Sequence, residues 1–348
     1  MNLFVYEYLS SGAAGTSERS ETRRALAVAP TAHASPGAAL RAEGWAMLAA
    51  LLEDLAHCPG VQISTLLDDR RTPPRHWSGR IGVQHVQAAA EKDIFHALAA
   101  AADWSLIIAP EFDGLLAERS RWVEQAGGRL LGSSPKAIDE TADKLYLAQL
   151  WTSRGIPTPL PEPTYPLVCK PRFGAGSQAT FLVRDGEEWT RARHQARAEG
   201  WKGELMLQRY TPGLAVSVTF LAGGGKWHSL PAVEQRLSSD GRFRYLGGRL
   251  PLPDNLDRRA RRLAERAAEC IEGLHGWFGV DLVLGDAEDG SDDTAIEINP
   301  RLTTSYLGLR RLARFNLAAA LLAVATGSPA RSWEWGTHAI VFDADGRL

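Results

Sequence analysis

The sequence predicts a mixed α/β protein that begins with a small open parallel sheet and continues with a differently organised part. Three observations support this prediction. The chain has 348 residues, 45% of them hydrophobic, which suffices for two or three structural units with a sizeable core. Up to about residue 130, strand-like and helix-like segments alternate. From about residue 133 that alternation is replaced by short helices and clustered strands.

The N-terminal part contains four apolar strand-like segments and two helical ones. The strand-like segments are 3–9, 61–67, 81–86 and 104–110, and the helical ones are 37–56 and 91–102. Because parallel strands need crossover connections, this alternation predicts an open parallel sheet with crossover helices. Residues 10–36 are rich in Ser, Ala and Gly, and we predict a mobile loop there after the first strand.

A new pattern starts at Ser134, which with Pro135 forms a cap and first-turn pair for two successive helical stretches that end at Gly155. The next predicted elements are strands at 165–170 and 179–184 around a glycine turn, a helix at 187–199, and strands at 203–210, 215–221, 227–237 and 243–248. A helix from about 256 to 275 then precedes two strands, 280–284 and 295–299, which an acidic turn joins.

Composition argues against several classes of protein. The net charge of −2 gives no reason to expect a nucleic-acid partner, and no run approaches 18 uninterrupted apolar residues, so no membrane-spanning helix is predicted. The three cysteines are odd in number, far apart and without a CxxC pair, which indicates neither a disulfide framework nor a zinc site. The apolar start reads as a strand rather than a signal peptide, so we predict a cytoplasmic protein that binds small molecules.

The most informative stretch is the strand predicted at 295–299 together with the residues directly after it. Glu297, Asn299 and Arg301 alternate with apolar residues and therefore share one face of the strand. Asp281 lies on the preceding strand, and any register that pairs odd with odd positions brings it to the same face. Two adjacent carboxylates and an amide suit a hard cation such as Mg²⁺, and Arg301 could fork onto a phosphate. The alternative is a strand whose acids meet solvent.

Lysine is scarce, because 33 of the 39 basic residues are arginines. Lys170 ends a strand and precedes the turn Gly174 to Ser177, whose backbone N–H groups could cradle a phosphate. The spacing fits neither a P-loop nor a dinucleotide fingerprint, so the alternative is a turn that connects two strands and binds no ligand. Lys144 lies one helix and one strand earlier and could meet the same ligand, or could be a solvated helix lysine.

Five segments in this order, "DK" leading to "GIPTP", "CKPRFGAGS", "LQRYTPG", "GVDLVL" and "EINPR", resemble the ATP-grasp superfamily of carboxylate-amine ligases over about residues 133–327. More narrowly, "MNLFVYEY", "APEFDG", "YLGG" and "EINPRLTTSYLGL" resemble the tyramine-glutamate ligase family of methanofuran biosynthesis. This resemblance implies an ATP-grasp fold of α/β and α+β class, with a Rossmann-like pre-ATP-grasp domain at 1–132, a small lobe at 133–203 and a large lobe at 204–348.

The resemblance also implies roles for individual residues. The nucleotide contacts that it implies are Lys144, Lys170, Gly174, Gly176, Ser177, Gln208, Arg209 and Tyr210. The magnesium ligands, with Mn²⁺ as an alternative ion, are Asp281, Glu297 and Asn299. Arg301 and Lys170 are the implied catalytic residues, acting on the phosphate or acyl phosphate. The acids that hold the ribose in many members are absent after Gln208, so Glu234 or Gln235 is an alternative there.

Substrate contacts are predicted next to this clamp. Thr303, Thr304 and Ser305 stand at a helix start, where hydroxyls and N–H groups suit a carboxylate; the alternative is a helix cap alone. Glu111 and Asp113 follow a strand at the end of the sheet where ligands bind, and could meet an amine or only cap a helix.

These observations lead to one functional hypothesis and three alternatives. The hypothesis is an ATP-dependent, ADP-forming ligase that joins the γ-carboxylate of glutamate to tyramine or a tyrosine-like amine. Another ATP-grasp amino-acid or peptide ligase and a non-catalytic nucleotide-binding subunit stay open. A Rossmann dehydrogenase is excluded because no glycine fingerprint follows the first strand. The sequence leaves the oligomeric state open, a homo-oligomer included.

Overall fold

A computed structural model describes residues 1–12, 36–328 and 333–347, without the side chains of Pro36 and Ala88. These residues form one parallel and two antiparallel sheets with helices packed against them. The loop predicted at 10–36 lies almost entirely outside the described residues. Within the described ranges, no helix is both long and apolar enough to cross a membrane.

The N-terminal domain is the predicted open parallel sheet, with strand order β3-β2-β1-β4. Its strands are β1 (Asn2–Glu7), β2 (Gln62–Asp68), β3 (Ile81–Val86) and β4 (Trp104–Ile108), and its helices are α1 (Pro36–Leu55), α2 (Glu91–Ala101) and α3 (Leu115–Gln125). Helix α3 is the helix that follows Glu111 and Asp113, and its bounds were not predicted from the sequence. Within α3, Arg119 is buried and pairs with Glu91.

The small lobe is a pair of helices and a three-stranded antiparallel sheet of order β6-β5-β7. Its elements are α4 (Pro135–Ala142), α5 (Lys144–Ser153), β5 (Leu167–Pro171), β6 (Phe181–Val183), α6 (Gly186–Ala198) and β7 (Leu205–Arg209). Ser134 caps α4 as predicted, accepting a hydrogen bond from the N–H of Ala137. Because β7 pairs with β5, residues 205–209 belong to the same sheet as β5 and β6.

The large lobe is a seven-stranded antiparallel sheet of order β13-β12-β8-β10-β11-β14, with β9 paired to β8. Its strands are β8 (Leu214–Gly223), β9 (Lys226–Ser229), β10 (Val233–Leu237), β11 (Tyr245–Leu250), β12 (Gly276–Leu284), β13 (Thr294–Asn299) and β14 (Ile340–Asp343). Its helices are α7 (Asp254–Ala268), α8 (Ser305–Leu312) and α9 (Leu317–Ala325).

Two predictions for this lobe were wrong in extent. The single strand predicted at 227–237 is two strands, because Pro231 has no N–H to continue the ladder and the N–H of Ala232 turns to the Asp257 carboxylate. The helix predicted to end near 275 ends at Ala268, so that strand β12 can start at Gly276.

Helix α1 docks the N-terminal domain onto the large lobe. Leucines of α1 and of α9 belong to one buried cluster. At the end of α1, the Asp54 carboxylate accepts hydrogen bonds from the Tyr306 hydroxyl at 2.5 Å and from Arg310 Nε and Nη2 at 2.8 and 2.6 Å. Apolar burial and this charged network together hold the N-terminal domain against the large lobe.

The packing of α9 on β8 requires a glycine at position 223. A Cβ atom there would overlap the Val324 carbonyl oxygen and backbone atoms of Ala325, which cannot rotate away. We expect Gly223→Ala to lower the free energy of unfolding by about 1–3 kcal/mol, measured by urea denaturation. Gly132→Ala is the matched control, because its Cβ would meet no atom closer than 3.9 Å. An equal loss in both variants would contradict this account.

Candidate active site

The two strands β12 and β13 bring three predicted ligands together. Asp281 lies directly opposite Glu297, and Asn299 lies opposite Gly279, so the odd-to-odd register predicted from the sequence is observed. The Asn299 amide nitrogen donates to Asp281 Oδ2 at 3.0 Å. All three side chains line one cavity of about 710 Å³.

The two carboxylates have opposite electrostatic environments. Burial raises the pKa of Asp281 to about 7, and the neighbouring Glu297 adds to this, against hydrogen bonds from Ser217, Gln235 and Asn299. Burial also acts to raise the pKa of Glu297, but Lys144 and Lys170 outweigh it and hold that pKa below its usual value. Glu297 is therefore the ionised member of the pair, and Asp281 takes up a proton near neutrality.

The two lysines that were expected to meet one ligand do converge on the cavity. Lys144 Nζ donates to the Gly174 carbonyl oxygen at 2.7 Å and lies 3.2 Å from Glu297 Oε2. Lys170 is 7% exposed; its backbone pairs with Met206 in the sheet, and its ammonium group has no hydrogen bond or ion pair with any residue that the structure describes. Burial lowers the pKa of Lys170 to about 8, and the charge of Lys144 contributes. A buried ammonium without a partner is suited to an anionic ligand.

The glycine turn faces the same cavity with Gly174, Gly176 and Ser177. Gly176 and Ser177 have φ of 65° and 56°, which lie in the left-handed region. No described residue accepts a hydrogen bond from the backbone N–H groups of residues 174–177, so these donors are available to a ligand. The Ser177 hydroxyl donates to the Phe243 carbonyl oxygen at 2.7 Å, which ties the turn to the large lobe.

The predicted hinge residues line the cavity, but several of their donors are already used. The Gln208 side-chain amide donates to the Pro159 carbonyl oxygen. The N–H groups of Arg209 and Tyr210 donate to the carbonyl oxygens of Leu160 at 3.0 Å and Pro166 at 3.1 Å. A base at this edge would therefore not receive a hydrogen bond from the backbone N–H groups of Arg209 and Tyr210, whereas the Gln208 amide keeps a second N–H. The Arg209 side chain is half exposed.

Arg301 lines the cavity and forms an ion pair with Glu111. Its Nη2 donates to Glu111 Oε2 at 3.1 Å, and its Nε lies 2.8 Å from Oε1. Glu111 itself is not among the cavity-lining residues. Glu111 was predicted to contact an amine or to cap a helix. In the structure its buried carboxylate forms an ion pair with the guanidinium group of Arg301.

The hydroxyl groups at the start of α8 are mostly committed to each other. Thr303 Oγ1 and Ser305 Oγ are 2.6 Å apart, Ser305 Oγ is 2.9 Å from Thr219 Oγ1, and Trp277 Nε1 donates to Thr303 at 3.1 Å. Thr304 occupies the cap position without a side-chain cap hydrogen bond. The three residues line the cavity. The hydroxyl groups of Thr303 and Ser305, however, belong to this buried chain of hydrogen bonds.

Comparisons with known proteins agree with this geometry. A family model described as the ATP-grasp domain matches residues 141–305, and one described as the pre ATP-grasp 3 domain matches residues 61–138. The chain contains an ATP-grasp domain preceded by a pre-ATP-grasp domain. The fold is accordingly the ATP-grasp fold, as the sequence predicted.

Three similar proteins illustrate the breadth of this fold. The tyramine–L-glutamate ligase of Methanocaldococcus fervens is 27% identical over 208 residues, covering 60% of this chain and 62% of that one. The D-alanine–D-alanine ligase of Francisella philomiragia is 25% identical over 205 residues, covering 53% and 66%. The biotin carboxylase of Campylobacter jejuni superposes with a TM-score of 0.68 at 15% identity, over 96% of this chain and 73% of that one. The chain thus matches about three fifths of the tyramine–glutamate ligase.

The ATP-grasp cavity contains side chains that were not predicted from the sequence. Of the two alternative ribose contacts, Gln235 lines the cavity, whereas Glu234 pairs with Arg249 at 2.9 Å. Glu7, Glu43 and Tyr245 line it without having been predicted. Glu7 had a signal, because it is the one acid in an apolar first strand. Glu43 had none, because only the docking of α1 brings it to the cavity.

The donor set of the hairpin fits Mg²⁺. As metal ligands, Asp281, Glu297 and Asn299 offer oxygen atoms only, and a divalent cation would neutralise the two adjacent half-buried carboxylates. Among the described residues no group of three His, Cys, Asp or Glu side chains could hold a metal, so a cation bound here would take its third protein oxygen from the Asn299 side chain.

Lys170 allows a direct test of the anion site. We expect Lys170→Ala to weaken the binding of ATP with Mg²⁺ roughly 30-fold or more, because a buried cation opposite the phosphates is lost, while the circular dichroism spectrum is unchanged. Calorimetric titration measures the affinity. Lys226→Ala is the control, since Lys226 is exposed and does not line the cavity. Equal affinity in wild type and Lys170→Ala would contradict the assignment.

Proposed function

We propose that the protein is an ATP- and Mg²⁺-dependent ligase that joins a carboxylate to an amine and releases ADP and phosphate. The observation that carries the proposal is the convergence of two lysines, a glycine turn, a carboxylate pair and an arginine on one cavity. The cavity residues in these roles are Lys144, Lys170, Gly174, Gly176, Ser177, Asp281, Glu297, Asn299 and Arg301. No side-chain nucleophile is needed.

The proposed reaction has two steps. A carboxylate oxygen of the acid attacks the γ-phosphorus of ATP, which forms an acyl phosphate and releases ADP. The amine nitrogen then attacks the acyl carbon, the bond to phosphate breaks, and the amide forms as the nitrogen loses a proton. Positioning and charge neutralisation supply the catalysis. Lys170 and Arg301 would act on the transferred phosphate, and Mg²⁺ held by Asp281, Glu297 and Asn299 would neutralise the phosphate oxygens.

For substrates we propose the γ-carboxylate of glutamate and an aromatic amine of the tyramine type. The 27% identity to the tyramine–L-glutamate ligase supports this choice. The end of the cavity formed by the N-terminal domain also supports it, since it combines an apolar wall for a ring with carboxylates for an ammonium group. The apolar residues are Leu9, Leu40, Met47, Ile108, Ala109 and Pro110, and the acids are Glu7 and Glu43. With these substrates the enzyme would serve methanofuran-type cofactor biosynthesis.

A second candidate is ligation of two amino acids, which the 25% identity to a D-alanine–D-alanine ligase favours. A non-catalytic nucleotide-binding subunit is disfavoured, because such a protein needs no complete set of metal and phosphate contacts. The apolar end of the cavity separates the first two candidates, since a small amino acid would leave it unfilled.

The deciding assay supplies ATP, Mg²⁺, glutamate and tyramine and follows ADP and the amide by mass spectrometry. We expect one ADP per amide, and less than about 1% of this rate in Glu297→Ala, which loses a charge essential to the phosphate site. Alanine in place of either substrate tests the dipeptide alternative. ADP formation with no amide from any acid and amine pair would overturn the ligase proposal.

Glu43 tests the amine end of the cavity. Burial raises the pKa of Glu43 to about 7, against the charge of Arg301, so the carboxylate is mostly ionised above that pH and mostly protonated below it. An alkylammonium is charged throughout this range. We expect the KM for the amine to rise as the pH falls from 8 to 6, and Glu43→Gln to raise this KM roughly tenfold and remove the inflection.

The matched control is Glu53→Gln on the same helix, because Glu53 pairs with His76 and does not line the cavity. The KM for ATP is expected to be unchanged in both variants. A Glu43→Gln enzyme with the wild-type KM and pH profile for the amine would place the amine elsewhere.

A further inference from the structure

A buried ion pair crosses the boundary between the two domains beside the cavity. Glu111 follows strand β4 of the N-terminal domain, and Arg301 follows strand β13 of the ATP-grasp domain. The side chains are 6% and 16% exposed, and two arginine nitrogens lie 2.8 and 3.1 Å from the two carboxylate oxygens. The third nitrogen, Nη1, donates to the Leu302 carbonyl oxygen at 3.2 Å.

Stability alone is a weak reason for this pair. Burying two charges costs several kcal/mol per ion before their attraction is counted, and well-packed apolar residues often stabilise a fold as well or better. Docking of the two domains is also provided elsewhere, by the cluster around α1 and α9 and by the hydrogen bonds that Asp54 accepts from Tyr306 and Arg310. A role in the orientation of Arg301 explains why a charged pair is kept here.

The donor count of Arg301 supports this role. A guanidinium group has five N–H donors, and the hydrogen bonds to Glu111 and Leu302 use two of them, one on Nη2 and one on Nη1. Nε lies 2.8 Å from Glu111 Oε1 without forming a hydrogen bond. Because hydrogen bonds hold the group at both Nη1 and Nη2 while Nε faces the carboxylate, the plane of the guanidinium is fixed and the remaining N–H groups on Nη1 and Nη2 keep one direction. A single rotatable charge, such as a lysine ammonium, could not be oriented in this way.

We infer that Glu111 is a positioning residue, by which the N-terminal domain orients Arg301 of the ATP-grasp domain toward the transferred phosphate. The inference rests on the proposed ligase function for its kinetic test. The structural part, that Glu111 immobilises the guanidinium, can be measured without turnover.

The kinetic test compares Glu111→Gln and Glu111→Asp with Asp54→Asn, which weakens another contact between the same two domains, away from the cavity. We expect Glu111→Gln to lower kcat by about 10- to 100-fold, since a reacting group displaced by about 1 Å costs about that much. The affinity for ATP stays within threefold of wild type, because Lys144 and Lys170 are untouched. Glu111→Asp recovers part of kcat, and Asp54→Asn keeps kcat within about twofold.

A double variant shows whether Glu111 acts through Arg301. In an Arg301→Lys background the planar fork is gone, so adding Glu111→Gln is expected to change kcat less than about threefold. The inference would be overturned if the losses of kcat in the two single variants multiplied in the double variant, or if Glu111→Gln kept the wild-type kcat. It would also be overturned if Asp54→Asn lowered kcat as much as Glu111→Gln, because domain docking would then explain the loss.

The test without turnover uses ¹⁵N-arginine-labelled protein. We expect Arg301, assigned from the Arg301→Lys variant, to give an Nε–H signal that is protected from exchange in wild type and Asp54→Asn and unprotected in Glu111→Gln. If the wild-type enzyme forms no amide, the ligase proposal fails while this signal still decides the positioning role. Equal protection in wild type and Glu111→Gln would overturn that role.

Discussion

Neutralisation of a half-buried pair of carboxylates is the constraint on which the rest of the cavity depends. Asp281 and Glu297 face each other across two strands of the large lobe, where two unscreened negative charges would repel. Lys144 and Lys170 counter that charge from the small lobe, one through a 3.2 Å ion pair and the other through its field. The opposite charges that attract the two lobes to each other therefore also form a site between them that suits a cation and a polyphosphate.

The part of the site that the sequence could predict is the part set by local periodicity. Alternation along one strand places Glu297 and Asn299 on one face, and strand pairing adds Asp281 once its register is odd to odd. Lys144 and Lys170 could be identified because lysine is rare in this chain. The sequence also placed Lys170 at a strand end and Lys144 in a helical stretch. Their convergence on one cavity follows from the fold.

The rest depends on contacts between distant segments, which no local pattern reports. Glu111 was expected to meet a ligand and instead meets Arg301, 190 residues later in the chain. Ser305 was predicted to contact a substrate carboxylate or to form part of a helix cap, and the fold places Thr219 next to its hydroxyl. Gln208 was correctly placed on the cavity wall, but its amide is used by the Pro159 carbonyl group. In each case the sequence identified the residue but not the distant residue that it contacts.

Two of the polar contacts between the domains have a consequence for how such a chain can evolve. The ion pair of Glu111 with Arg301 and the network of Asp54 with Arg310 join segments encoded far apart. A crossover between two diverged relatives anywhere between these partners would combine one half of each contact with a foreign counterpart. The two domains should therefore be inherited together, and substitutions at positions 111 and 301 should co-vary across descendants.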